Sequence, residues 1–147
     1  MNKKIIISIV AIILVIIAYY LLSPLFIVKE ANDKLPENGE QTDTLEPILS
    51  ASLVPSAHDV SGKVSVYDID GKRTLRFEDF DTVNGPDLFI YLATDTTAED
   101  FVNLGEIKAT KGNVNYEISN DINLEKYDTV LVWCRAFKVL FSYAELK

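Results

Sequence analysis

The residue types able to do chemistry are scarce in this 147-residue chain, and the strongest of them occur once. Cys134 is the only cysteine, His58 the only histidine and Met1 the only methionine. A blue-copper centre takes two histidines, a cysteine and an axial group, so one copy of this chain cannot supply it. Four-ligand zinc, iron–sulfur clusters and Cys-x-x-Cys-His haem attachment fail on the same count. A two-ligand site of His58 and Cys134 would need the fold to join residues about half the sequence apart; by residue type His58 reads more simply as a turn or surface residue. Carboxylates gather at Asp68 and Asp70 and again at Glu78, Asp79, Asp81 and Asp87. Hard oxygen ligands of this kind suit calcium where two loops meet, with Asp79, Asp81 and Asp87 as the candidates, although Asp-rich turns are also common without an ion. There is no Gly-x-Ser-x-Gly run and no phosphate-binding glycine loop, so the visible motifs encode no cofactor and no catalytic activity of the chain's own.

Cys134 sits beside the only tryptophan, Trp133, in residues 129–146, TVLVWCRAFKVLFSYAEL. The β-branched and aromatic composition predicts a buried central strand. Alternation sends Val130, Val132, Cys134 and Ala136 to one face and Leu131, Trp133, Arg135 and Phe137 to the other, with a second strand or a bend after Lys138. In that setting Cys134 has three readings: an inert packed thiol, a redox-active or ligating thiol, or half of a disulfide to another chain. Phe137, Phe141 and Tyr143 are expected in the core; exposed, they would mark a docking patch.

Residues 5–28 carry no charge, and as a helix they would rise roughly 36 Å, enough to cross a bilayer. The segment reads as an uncleaved membrane anchor; the rival reading, a secretory signal, needs a shorter apolar core and a small-x-small cleavage site. Lys3 and Lys4 place residues 1–4 in the cytoplasm and everything after the helix outside it. Residues 29–46, with few large apolar side chains and no periodicity, read as a flexible tether. Residues 47–147 form the folded domain. Residues 46–147 hold 10 Lys or Arg and 17 Asp or Glu, a balance that disfavours nucleic acid and peripheral lipid binding.

Beyond the tether, strand runs recur every ten to fifteen residues with turn residues between them. Asp70-Gly71 is a two-residue hairpin signal, Asn84-Gly85-Pro86-Asp87 a turn, residues 87–93 a core strand, and Thr97-Ala98-Glu99-Asp100 one helical turn at most. Residues 101–109 and 114–118 read as strands flanking a turn at Lys111-Gly112-Asn113. Gly62, Gly71, Gly85, Gly105 and Gly112 are all expected where strands turn. The fold class is all-β: one β-sandwich, or a barrel-like variant, after a single transmembrane helix.

The motifs in order are His58 to Gly62-Lys63-Val64; Leu75, Phe77 and Phe80 before Asn84-Gly85-Pro86-Asp87-Leu88 and Tyr91-Leu92; Phe101 with Leu104-Gly105; Lys111-Gly112-Asn113 with Tyr116; and Trp133-Cys134-Arg135-Ala136-Phe137 with Val139-Leu140-Phe141 and Ala144. In these the chain resembles the electron-transfer DM domain numbered thirteen, DM-thirteen. The last motif is the most specific, with phenylalanines four and eight residues after the tryptophan. The resemblance implies an all-β module often found beside DOMON or cytochrome-type membrane modules, with Cys134 at the family's cysteine. Gly62, Gly85, Pro86, Asp87, Gly105, Gly112, Tyr116, Trp133, Phe137 and Phe141 match its structural positions. Since neither a DOMON partner nor a haem-binding helix bundle is present, it further implies a separate membrane or extracytoplasmic partner, a redox protein among the candidates.

Overall fold

The computed structural model describes residues 2–23, 28–36 and 45–147. Helix α1, Lys3–Leu22, buries none of its residues and is long and apolar enough to span a membrane by length and composition. It starts two residues before the predicted span, whose residues 24–27 lie outside the described residues.

The strands are β1 (Glu30–Asn32), β2 (Leu49–Ser52), β3 (Val54–Pro55), β4 (Val60–Ile69), β5 (Lys72–Thr82), β6 (Leu88–Ala93), β7 (Phe101–Glu106), β8 (Lys111–Ile118), β9 (Thr129–Cys134) and β10 (Val139–Glu145). They make two five-stranded sheets, β1-β8-β5-β4-β2 and β3-β10-β9-β6-β7. The domain is all-β, as its strand periodicity predicts. Alternation turns Val64 and Val66 of β4, Leu75 and Phe77 of β5, and Val114 and Tyr116 of β8 toward Ile90, Leu92, Val130 and Val132 of the other sheet, and all are at most 2% exposed. Strand β6 is buried along its whole length because Phe89, Tyr91 and Ala93, on its other face, join Leu131 in a second apolar cluster. The β4–β5 hairpin turns through Asp70 (φ 52°) and Gly71 (φ 75°), as the Asp-Gly pair predicts, and the Gly71 N–H donates to Asp68 Oδ1 at 3.0 Å.

Four expectations need correction. The central strand ends at Cys134; residues 135–138 are a turn, with Lys138 at φ 54°, and Phe137 is 59% exposed rather than in the core. Lys111, Gly112 and Asn113 are strand rather than turn: they open β8, and β7 and β8 lie in different sheets. Residues 97–100 make no helical turn; Asp95 Oδ1 accepts from the Thr97 N–H at 2.7 Å and closes a local turn instead. The tether reading fails at its start, because Glu30, Ala31 and Asn32 pair in parallel with Lys111, Gly112 and Asn113. Residues 37–44 of that tether lie outside the described residues.

Two glycines explain how strands replace expected turns. At Gly112 (φ 101°) an added Cβ would lie 2.0 Å from the Ala31 carbonyl oxygen, so β1 can approach β8 only where a side chain is missing. At Gly62 (φ 108°) the added Cβ would meet Glu78 O at 2.6 Å, because Gly62 lies opposite the bulge that Asp79 and Phe80 make in β5. The bulge at Asp79 brings Phe77 and Phe80, three residues apart, onto the same core, with ring centroids 4.9 Å apart.

Tyr116 gives the core an alkaline limit. Its hydroxyl accepts from the Lys108 N–H at 2.9 Å, and burial pushes its ionisation up to about 12 from an ordinary value of 10.0. The folded domain therefore holds a proton that the unfolded chain releases, and the stabilisation present below pH 10 is lost as pH rises toward 12. At about 1.4 kcal/mol per pH decade the loss is roughly 2–3 kcal/mol. Urea midpoints measured from pH 9 to 12 should fall across that window, and less steeply in Tyr116→Phe. Tyr67 and Tyr91, also raised by burial, and Lys63 and Lys126, raised by their hydrogen bonds to Glu78 and Asp100, contribute to the remaining slope.

Candidate functional site

Cys134 closes β9 with its side chain in the core between the sheets, 0% exposed. It stands opposite Leu88 of β6 and Val139 of β10. Thiol chemistry needs access by a reagent or partner, and this geometry gives none, so it fits the packed reading. Replacement by serine puts a hydroxyl where the surroundings are apolar and should cost about 1–3 kcal/mol, whereas alanine leaves only a small void. We expect Cys134→Ser to melt below Cys134→Ala, and the native thiol to react with a thiol reagent only after unfolding. Rapid labelling of the folded protein would contradict this placement.

The residues around Cys134 join two motifs that are far apart in sequence. Strand β6 lies beside β9 with Leu88 opposite Cys134 and Phe89 opposite Trp133. Just beyond the paired ends, the Arg135 guanidinium grips Asp87 with both arms, Nε to Oδ2 at 3.0 Å and Nη2 to Oδ1 at 3.1 Å. The Arg135 N–H also donates to the Asp87 carbonyl at 3.0 Å, and the guanidinium lies 4.1 Å from the Phe89 ring centre. A planar bidentate pair of this kind fixes direction as well as distance. The Asn84-Gly85-Pro86-Asp87 turn and the Trp133-Cys134-Arg135 run are thus one structure that holds the β9–β10 turn. Gly85 belongs to it too, since an added Cβ would lie 3.0 Å from the buried Phe141 ring. His58 completes this end of the domain as a half-buried ring 4.1 Å from Phe141, centre to centre.

The carboxylates do not converge on an ion site. Among the described residues no three His, Cys, Asp or Glu side chains come together as a metal-holding group. Asp87 is committed to Arg135, while Asp79 and Asp81 are exposed on β5 of the other sheet. Asp79, Asp81 and Asp87, the carboxylates offered to calcium by residue type, are thus not brought together as one such group among the described residues.

On the outer face of the first sheet, Glu78 takes Lys63 at 2.8 Å, Arg76 at 3.3 Å and the Tyr67 hydroxyl at 3.0 Å. Partial burial works to raise this carboxyl, but the hydrogen bonds from Lys63 and Tyr67 and the charges of Lys63 and Arg76 outweigh it and hold it below the usual range. Arg76 also donates to the Asp33 carbonyl at 2.9 Å, which ties the start of the tether to this cluster. Sequence spacing shows none of this, because the partners come from three separate segments.

Among known proteins, the family described as Electron transfer DM13 matches residues 52–146, nearly the whole β-domain. No curated protein and no solved structure matches the chain.

Proposed function

Since the chain belongs to the electron transfer DM13 family, we propose that it is an electron-transfer accessory module, anchored by α1 with its β-sandwich outside the cytoplasm, that works with a separate redox-active protein. The family match carries the reading. The anchor is supported by the uncharged apolar run of α1 from Ile5 to Leu22 and by Lys3 and Lys4, which open the helix. A separate partner is supported by the donor set: one histidine against Phe141 and one cysteine inside the core leave the redox centre to another chain. A second reading, a structural or adhesive adaptor, is favoured by the burial of Cys134 alone.

Membranes from cells lacking the chain should pass electrons to an external dye more slowly than wild-type membranes. Both the native chain and Cys134→Ala should restore the rate. Unchanged dye reduction on loss of the chain would leave the adaptor reading in place. A tag appended after Lys147 should be removed by protease added outside intact cells; its protection would reverse the orientation.

A further inference from the structure

The two sheets differ on their outer faces. On the first, the outward rows are polar: Ser52, Lys63 and Glu78 lie side by side, and next to them Ser50, Ser65, Arg76 and Asn115. That is the ordinary wet face of an antiparallel sheet. On the second, pairing sets Val54, Tyr143, Leu131 and Tyr91 in one outward row and Leu140, Trp133 and Phe89 in the next. Apart from Val54, these belong to the second apolar cluster and not to the core between the sheets. Phe101 of β7 stacks on Tyr91, with ring centres 4.1 Å apart and planes 17° from parallel. Ala98 and the Arg135 guanidinium cover part of this aromatic face. The rest is open: Trp133, Leu140 and Tyr143 are half-buried, and Val54 and Phe101 are 39% and 40% exposed.

Size decides what kind of contact this face makes. Four strands of six or seven residues and the two-residue β3, about 4.8 Å apart and about 3.3 Å per residue, give a footprint of roughly 430 Å² per copy, about 900 Å² for two. Interfaces that persist in solution bury at least about 1,000–1,200 Å², so this face pairs weakly unless its occupant is already held nearby. A shared membrane supplies that confinement. The chain has its entry point into the β-domain at Lys29, whose carbonyl accepts from the N–H groups of Thr110 (2.8 Å) and Lys111 (3.1 Å). Five peptide steps separate its neighbour Val28 from Ser23, the residue that caps α1, and they reach no more than about 18 Å. Two anchored copies thus stand on one bilayer by the same end, and rotation about an axis along β9 brings their aromatic faces together with both helices running the same way.

We propose that the outer face of the second sheet closes on the same face of a second copy of the chain, about a two-fold axis along β9. The order β3-β10-β9-β6-β7 then sets β9 against β9, β10 against β6, and β3 against β7 of the other copy. Tyr143 meets Tyr91, and Val54 at one edge meets Phe101 at the other, so the most open apolar side chains of the face cover one another. Charge is complementary at the end nearer the entry point, where exposed Lys138, just before β10, comes opposite the start of β6 and the end of β7, with Asp87 and exposed Glu106. At the far end it is less so, because Asp95, Glu99 and Asp128 oppose Glu145 as well as Lys147. Small area and one repulsive end make the pairing depend on confinement. That confinement rests on the membrane anchoring proposed above.

The test uses the full chain carrying Cys134→Ala, reconstituted in liposomes at a fixed ratio to lipid and treated with a short bis-maleimide. Copies with Val54→Cys mixed with copies with Phe101→Cys should link severalfold faster than a mixture of Ser52→Cys and Glu117→Cys, which are exposed on the outer face of the first sheet. Lys138→Glu should slow the first linking, and adding Glu106→Lys to the same chain should restore it. Flotation with the liposomes checks the anchor separately. Equal rates in the two mixtures, in chains that float, overturn the pairing and leave the anchor intact. Chains that do not float overturn the anchor and the confinement with it. Faster linking of Val54→Cys to itself than to Phe101→Cys overturns the two-fold arrangement. Linking in liposomes that is lost in native membranes overturns self-pairing in favour of another protein on this face.

Discussion

Removal of residues 139–147 is expected to abolish the fold of the β-domain. Strand β10 is interior to the second sheet, between β3 and β9, and contributes Phe141 and Ala144 to the core, with Leu146 just beyond it. Its continuation also ties the sheets, as the Lys147 carbonyl accepts from the Ser50 N–H of β2 at 3.2 Å. Loss of one large buried aromatic costs about 3–5 kcal/mol, and the whole domain has only about 5–15. The cut would also leave β9 as a new apolar edge open to pairing with other chains. Circular dichroism of the truncated domain should show no cooperative melt; a melt within a few degrees of the parent would refute the placement of β10.

Gly112→Ala should act more locally and still strongly. The residue is at φ 101°, and the new Cβ would meet the Ala31 carbonyl oxygen at 2.0 Å, a backbone atom that can yield only if β1 leaves. Forcing a non-glycine residue into such a conformation costs about 1–3 kcal/mol before the clash is counted. Detachment of β1 would relieve the clash and free Lys29 and Lys34, whose carbonyls are otherwise held by Thr110, Lys111 and Asn115. Trypsin should then cleave after these lysines roughly 10- to 100-fold faster, since cleavage follows the open population and each ~1.4 kcal/mol is tenfold. The melt of the remaining domain should shift little. Equal cleavage rates in variant and parent would show that β1 does not hold the entry point.

The architecture was legible because β-strands announce themselves locally. Alternation in β4 and β5, the Asp70-Gly71 turn and the apolar runs of β6 and β9 each follow from side-chain period or turn chemistry. What escaped was information that resides in contacts. Strand β9 reads too long because Ala136 and Phe137 continue its apolar composition, and nothing local reveals that Lys138 adopts φ 54° and reverses the chain. Strand β1 is three residues, Glu-Ala-Asn, with no pattern of its own; its existence depends on a glycine in β8 that reads as a turn residue. The Asp87–Arg135 grip was hidden by a separation of 48 residues, although both partners stood inside motifs already singled out. For Cys134, the family resemblance drew attention to the thiol, while its apolar neighbours already pointed to burial.

The proposal of an accessory module with a separate redox partner is tested most directly by what the intact chain carries out of the membrane. The full chain, tagged after Lys147 and extracted in a mild detergent, should retain a second protein in fixed proportion. That complex should show visible absorbance that changes on adding a chemical reductant and returns on reoxidation. A chain that purifies alone under those conditions, or with a partner that has no reducible chromophore, would contradict the account.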